Sequence, residues 1–183
     1  MAISMYRASV PIFLQFLPAM SACLDKGAAY AAAKKFDPAV LLQSRLFPDM
    51  LPLVRQVQIA SDFAKNTCAR LAGVDPLKID DVETTIDQLK ARIVKTLDYV
   101  KEFKPSQIDG SEERDIKIPL GGETRSFKGE NYLTGFALPN FFFHTTTTYA
   151  ILRHNGVEIG KGDFMRAPGL DGLPPSCQEN VFA

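Results

Sequence analysis

The chain has 183 residues, 46% hydrophobic and 23% charged, an ordinary composition for a folded protein and enough length for one substantial core. Its 21 basic and 21 acidic side chains cancel, so the clustered positive charge that nucleic acid and anionic membranes require is missing, and neither is an expected partner. Cys23, Cys68 and Cys177 form no CxxC pair, which excludes a zinc knuckle and a thioredoxin-type motif.

The first helix is expected over residues 4–35, with Ile12, Phe16, Met20, Cys23 and Leu24 at helical spacing. Pro11 belongs near its start, and Pro18 predicts a kink. Pro11, Gln15 and Pro18 also interrupt the apolar N-terminal run, which lacks the lysine-rich start of a secretion signal. No segment offers the roughly 18 uninterrupted apolar residues of a membrane span, so the expected location is the cytoplasm. Asp37-Pro38 opens a short helix over residues 39–45.

Pro48-Asp49 then introduces a long helix over residues 48–72, stopped by Gly73. Its apolar stripe is Leu53, Val57, Ala60, Ala64, Cys68 and Leu71, and the thiols of Cys23 and Cys68 are expected to be buried and reduced. A third long helix follows over residues 84–104, where Ile86, Leu89, Ile93, Leu97, Val100 and Phe103 form one stripe with Lys90, Arg92, Lys95 and Lys101 off it. Residues 114–128 alternate around Gly121-Gly122 and predict a β-hairpin. Asn131 is the expected cap of a last helix over residues 131–155. Four long helices with one inserted hairpin make an all-α bundle, placed in a single domain over residues 1–165 with an irregular tail over 166–183.

Both histidines lie on the last helix. Ten residues separate them, so His154 falls about 80° around the axis from His144 and roughly 15 Å along it. They do not share one ion. Asn140 and His144, four apart, share a face; on the second long helix Asp49 and Gln56, seven apart, share another. The candidate site is therefore His144 and Asn140 facing Gln56 and Asp49 across the bundle. Two readings follow: a metal or small-molecule site, or a core histidine satisfied by hydrogen bonds. His154, beside Asn155-Gly156, is expected to meet the last carbonyls of its helix. The threonines at 145–148 can bond back to their own helix or line a polar pocket, and Pro139 predicts a bend that opens space beside Asn140.

The last helix is apolar around nearly its whole circumference, and Phe13, Leu14, Phe16 and Leu17 give the first helix the same excess. Faces of that kind predict a homodimer.

Pro48-Asp49-Met50, Arg55-Gln56-Val57-Gln58, Asp62-Phe63-Ala64-Lys65, Asn140-Phe-Phe-Phe-His144-Thr-Thr-Thr and Leu152-Arg153-His154-Asn155-Gly156 resemble a family of unknown function in the DinB/YfiT-like superfamily, over roughly residues 3–165. The resemblance implies an up-down-down-up four-helix bundle, often a homodimer. It also implies a site where many members hold a divalent metal (Zn, Ni or Mn) through three histidines, one on the second helix and two spaced by four on the last. Some relatives are thiol-dependent transferases or isomerases. Carried over, His144 matches the second histidine of the last-helix pair, while Asn140 stands at the first and Gln56 near the second-helix position. Neutral amides bind transition metals poorly beside imidazole. The implied function is a metal-dependent transferase or hydrolase-like enzyme, or one acting on a small-molecule ligand; the alternative is a non-catalytic, dimeric binding or stress-associated module.

Overall fold

The computed structural model describes residues 3–166, so all but the first residue of the expected tail, Cys177 included, lies outside the described residues. Four long helices form the bundle: α1 (Val10–Lys34), α3 (Leu53–Ala72), α4 (Ile86–Glu102) and α7 (Leu138–His154). Shorter pieces complete it: α2 (Ala39–Gln43), α5 (Pro105–Ile108), strands β1 (Asp115–Leu120) and β2 (Glu123–Lys128), α6 (Gly129–Tyr132), a π-turn (Leu133–Ala137) and α8 (Lys161–Met165). Around the core the long helices run α1, α4, α3, α7 and back to α1, so α3 and α7 face each other directly. No helix among the described residues is long and apolar enough to cross a membrane.

Each helix begins and ends where the backbone chemistry allows. α1 starts at Val10, later than residue 4, with Pro11 in its first turn, where its missing N–H costs nothing; Pro18 lies within it. It stops at Lys35 in the left-handed conformation, φ 59°, whose N–H returns to Ala31 and Ala32. α3 starts at Leu53, later than residue 48, because Pro52 keeps Leu51 out of the helical region and breaks any helix begun at Pro48. Residues 47–50 form an isolated turn instead, closed by Met50 N–H on the Phe47 carbonyl at 3.0 Å. α4 opens with a reciprocal Thr85–Gln88 capping box.

The hairpin pairs Asp115 with Lys128 through to Leu120 with Glu123. Gly121 and Gly122 both have positive φ, 63° and 84°, as a type I′ turn requires. Ile116 and Ile118 turn inward and are buried. The chain enters α6 at Gly129, two residues before the expected Asn131 cap, and a Cβ at Gly129 would stand 1.9 Å from the Ser111 carbonyl oxygen. Only glycine allows that approach.

The regular ladder of the last helix is interrupted just before Pro139. Pro139 has no N–H to continue the ladder, and the chain absorbs this by one wide turn in which Leu138 N–H reaches the Leu133 carbonyl. Much of the apolar surface of α7 and of the turn before it is covered within the chain, although Phe143 stays exposed. Phe142 meets Phe16 at 5.0 Å, Tyr149 meets Phe164 of α8 at 5.9 Å, and Phe136 stacks on Phe127 of the hairpin at 5.4 Å. Phe13 and Leu17 of α1 are fully buried. Part of the apolar excess that suggested a dimer is thus met by α1, α8 and β2.

Candidate functional site

His144 sits on the face of α7 that meets α3, and its Nδ1 lies 2.7 Å from Oε1 of Gln56. The other end of the Gln56 amide donates from Nε2 to the Leu51 carbonyl at 2.9 Å. A carbonyl only accepts, so Nε2 must face Leu51 and Oε1 must face the ring. The ring nitrogen it meets is therefore the protonated one. His144 is held as the Nδ1–H tautomer, with the lone pair on Nε2.

The ring lies parallel to Phe63 (18°, centroids 6.1 Å apart) and has Phe143 at its edge, 5.2 Å away. At 9% exposure it is barely wetted. Burial lowers its pKa from 6.5 to about 4, because no facing carboxylate stabilises the imidazolium. At neutral pH it is an uncharged ring with a fixed tautomer. Nε2 makes no hydrogen bond to any described residue and is the one uncommitted acceptor of the cluster.

The other expected members separate. Asp49 is exposed in the turn before α3, since Pro52 delays the helix and removes the shared face with Gln56. Asn140 is half-buried, but its Nδ2 turns back to the Phe136 carbonyl at 2.7 Å, beside the ladder broken by Pro139, and does not bond to His144 or Gln56. The threonines serve their own helix: Thr145, Thr147 and Thr148 donate to the carbonyls of Phe141, Phe143 and His144 at 3.0, 2.7 and 2.9 Å. His154 is exposed at the end of α7, apart from His144 as the angular arithmetic requires.

The donor set is meagre for a divalent ion. Gln56 Oε1, the amide atom that would bind a metal, already accepts from His144. No group of three or more His, Cys, Asp or Glu among the described residues is arranged to hold one. As they stand, the residues offer an ion Nε2 of His144 and little else, which does not fit a resident transition metal.

A second polar cluster escaped the sequence reading. Arg92, placed there off the apolar stripe of α4, is buried. It pairs with Asp62 at 2.7 Å, Asp81 at 3.0 Å and Glu83 at 3.1 Å, and donates to the Asp80 carbonyl at 3.1 Å. Arg55 joins Asp81 at 2.5 Å, Gln58 joins Glu83 at 2.7 Å, and Lys65 joins Asp62 at 3.2 Å. Three cations and three carboxylates balance, strapping the loop before α4 onto α3. The signal was available: Arg92 lies three residues after Leu89, about 60° from it and thus at the rim of the buried stripe.

With this geometry in place, the comparisons decide the family. Residues 5–165 match the profile of a domain of unknown function, DUF1993. The chain belongs to the DUF1993 family. No curated protein matches it. The crystal structure of a DinB family member protein from Shewanella denitrificans is similar to it, with TM-score 0.81, 40% identity and 93% of each chain covered. The bundle with its small hairpin is therefore a DinB-like fold, and His144 lies within the matched residues.

Proposed function

We propose that this DUF1993 domain binds a small molecule at His144, with Nε2 accepting a hydrogen bond from the ligand and Gln56 fixing the ring that presents it. The observation that supports this reading is the chain Leu51 C=O, Gln56, His144, which fixes one tautomer and leaves a single acceptor uncommitted. Nε2 is not among the fully buried unmatched atoms, so a ligand can reach it from the surface. Aromatic walls from Phe63 and Phe143 suit a flat or apolar ligand body.

A pKa near 4 makes His144 a good neutral acceptor and a poor general base at neutral pH, where catalysis favours a group matched to the medium. That favours binding over acid–base turnover. The enzyme reading, a metal-dependent transferase or hydrolase, requires Gln56 to release Nδ1 or Asn140 to swing its oxygen toward Nε2. Metal analysis of protein purified without a histidine tag tests both. Zn, Ni or Mn below one equivalent, unchanged in His144→Ala, is the expected result. A stoichiometric ion lost in that variant overturns the metal-free reading.

A further inference from the structure

We propose a second binding site, for a small carboxylate with an apolar body, in the cavity between α3 and the hairpin, about 240 Å³ in volume and lined by Asn66, Arg70, Phe63, Phe136, Ile118 and Pro119. Arg70 is half-buried and has no carboxylate partner among the described residues. It donates through one nitrogen to the Tyr132 hydroxyl at 3.0 Å and lies over that ring, 5.8 Å from its centre. That hydroxyl takes one of the five N–H groups of the guanidinium and leaves the others.

Asn66 stands one helical turn before Arg70, on the same face of α3. Its Oδ1 accepts from Lys65 at 2.9 Å, which leaves its NH2 as the end without a partner. An amide donor and a guanidinium four residues apart form a pair that a carboxylate can bridge. Asp62 also borders the cavity, but it is engaged by Arg92 and Lys65 at 2.7 and 3.2 Å, and Lys65 adds a positive charge at that end. The opposite wall is apolar: Phe63 and Phe136 meet at 5.7 Å, and Ile118 and Pro119 close it from β1.

The volume falls below the roughly 300–1,000 Å³ of sites for drug-sized ligands, which excludes nucleotides and favours an acid of one ring or a short branched chain. Phe63 has His144 beside it as well as Phe136, so the two sites share a wall, yet the acid site uses no atom of His144.

The test is an NMR titration of the full chain with phenylacetate, its neutral isostere phenylacetamide, and isobutyrate. Saturable shifts are expected for at least one acid, centred on Asn66, Arg70 and Ile118, with phenylacetamide and Arg70→Gln each weakening binding at least about ten-fold, the scale of one charge-assisted contact. His144→Ala should leave the acid's affinity unchanged. Equal affinity for phenylacetate and its amide overturns the proposal without any variant. So does a saturable site elsewhere, loss of binding in His144→Ala, or the absence of saturation for both acids at millimolar concentration.

Discussion

α3 carries two buried polar clusters, and they solve the same problem in opposite ways. Near its start, Gln56 and His144 form one short neutral hydrogen bond, backed by the Leu51 carbonyl. Half-way along, Asp62 belongs to a network of three cations and three carboxylates around Arg92. A buried charge has to be matched by opposite charge, so the Arg92 cluster is crowded with partners. A neutral imidazole needs no opposite charge, and its unpaired Nε2 is not fully buried, so it can do without a protein partner. The ionic cluster holds the loop before α4; the neutral one keeps an atom to offer.

The sharpest way to break this contrast is to remove Arg92. Its side chain is 1% exposed and that of Glu83 only 7%, so Arg92→Met leaves the Glu83 carboxylate with little access to water and no cation partner among the described residues. The expected loss is about 3–5 kcal/mol in urea unfolding, the usual cost of orphaning one member of a buried pair. A loss under about 1 kcal/mol would class the cluster with surface ion pairs and end the distinction.

Gln56→Leu comes next, with an expected loss of about 1–3 kcal/mol, the cost of leaving one buried donor unmatched. Its more telling effect is on the ring. Without Oε1 to hold the proton at Nδ1, the imidazole 15N shifts should move toward a mixture of tautomers. A loss as large as that of Arg92→Met, or an unchanged tautomer, would show that Gln56 is not what orients His144.

The helices and their stripes were legible because periodicity over a long segment survives local exceptions. Gln56 facing His144 was legible for the same reason: both follow from position on long helices. Asp49 was not, because the effect of Pro52 on Leu51 outweighs the capping signal at Pro48-Asp49. Asn140 failed through the wide turn before Pro139, which no spacing rule announces. Arg92 was misplaced by its charge, although its angle put it at the edge of the core. The acid cavity needs β1 folded onto α3, a contact between residues about fifty apart that composition does not encode.

Acid offers a gentler test. The folded His144 pKa is about 4 and the unfolded value 6.5, so between these limits the unfolded chain binds a proton that the folded chain refuses. Stability therefore falls as pH drops through that window, and above 6.5 the group has no effect. His144→Gln removes this contribution, so its stability should decline less steeply than wild type from pH 6.5 to 4 in parallel urea titrations. Carboxylates titrate in both proteins and cancel in the difference. Parallel curves would mean that His144 is not excluded from water as the structure places it.

The smallest expected change in stability, within about 0.5 kcal/mol, comes from Phe143→Ser, a substitution at the exposed rim of the His144 site. Its use is to test assembly. Intrachain cover by α8 and β2 takes up part of the apolar surface that first suggested a homodimer, while Phe143 remains 55% exposed, with Leu51 at 43% and Phe47 at 64% on the segment whose Leu51 carbonyl anchors Gln56. A stable dimer buries roughly 800 Å² on each partner, far more than three side chains supply. We therefore expect the homodimer, which we propose forms through this rim, to be weak. In light scattering its mass should rise from near 20.2 kDa toward twice that value with concentration. Phe143→Ser should hold it near the single-chain value. A wild-type mass that stays at one chain up to millimolar concentration removes the homodimer. One that stays at two chains on dilution moves the interface to some larger surface than this rim.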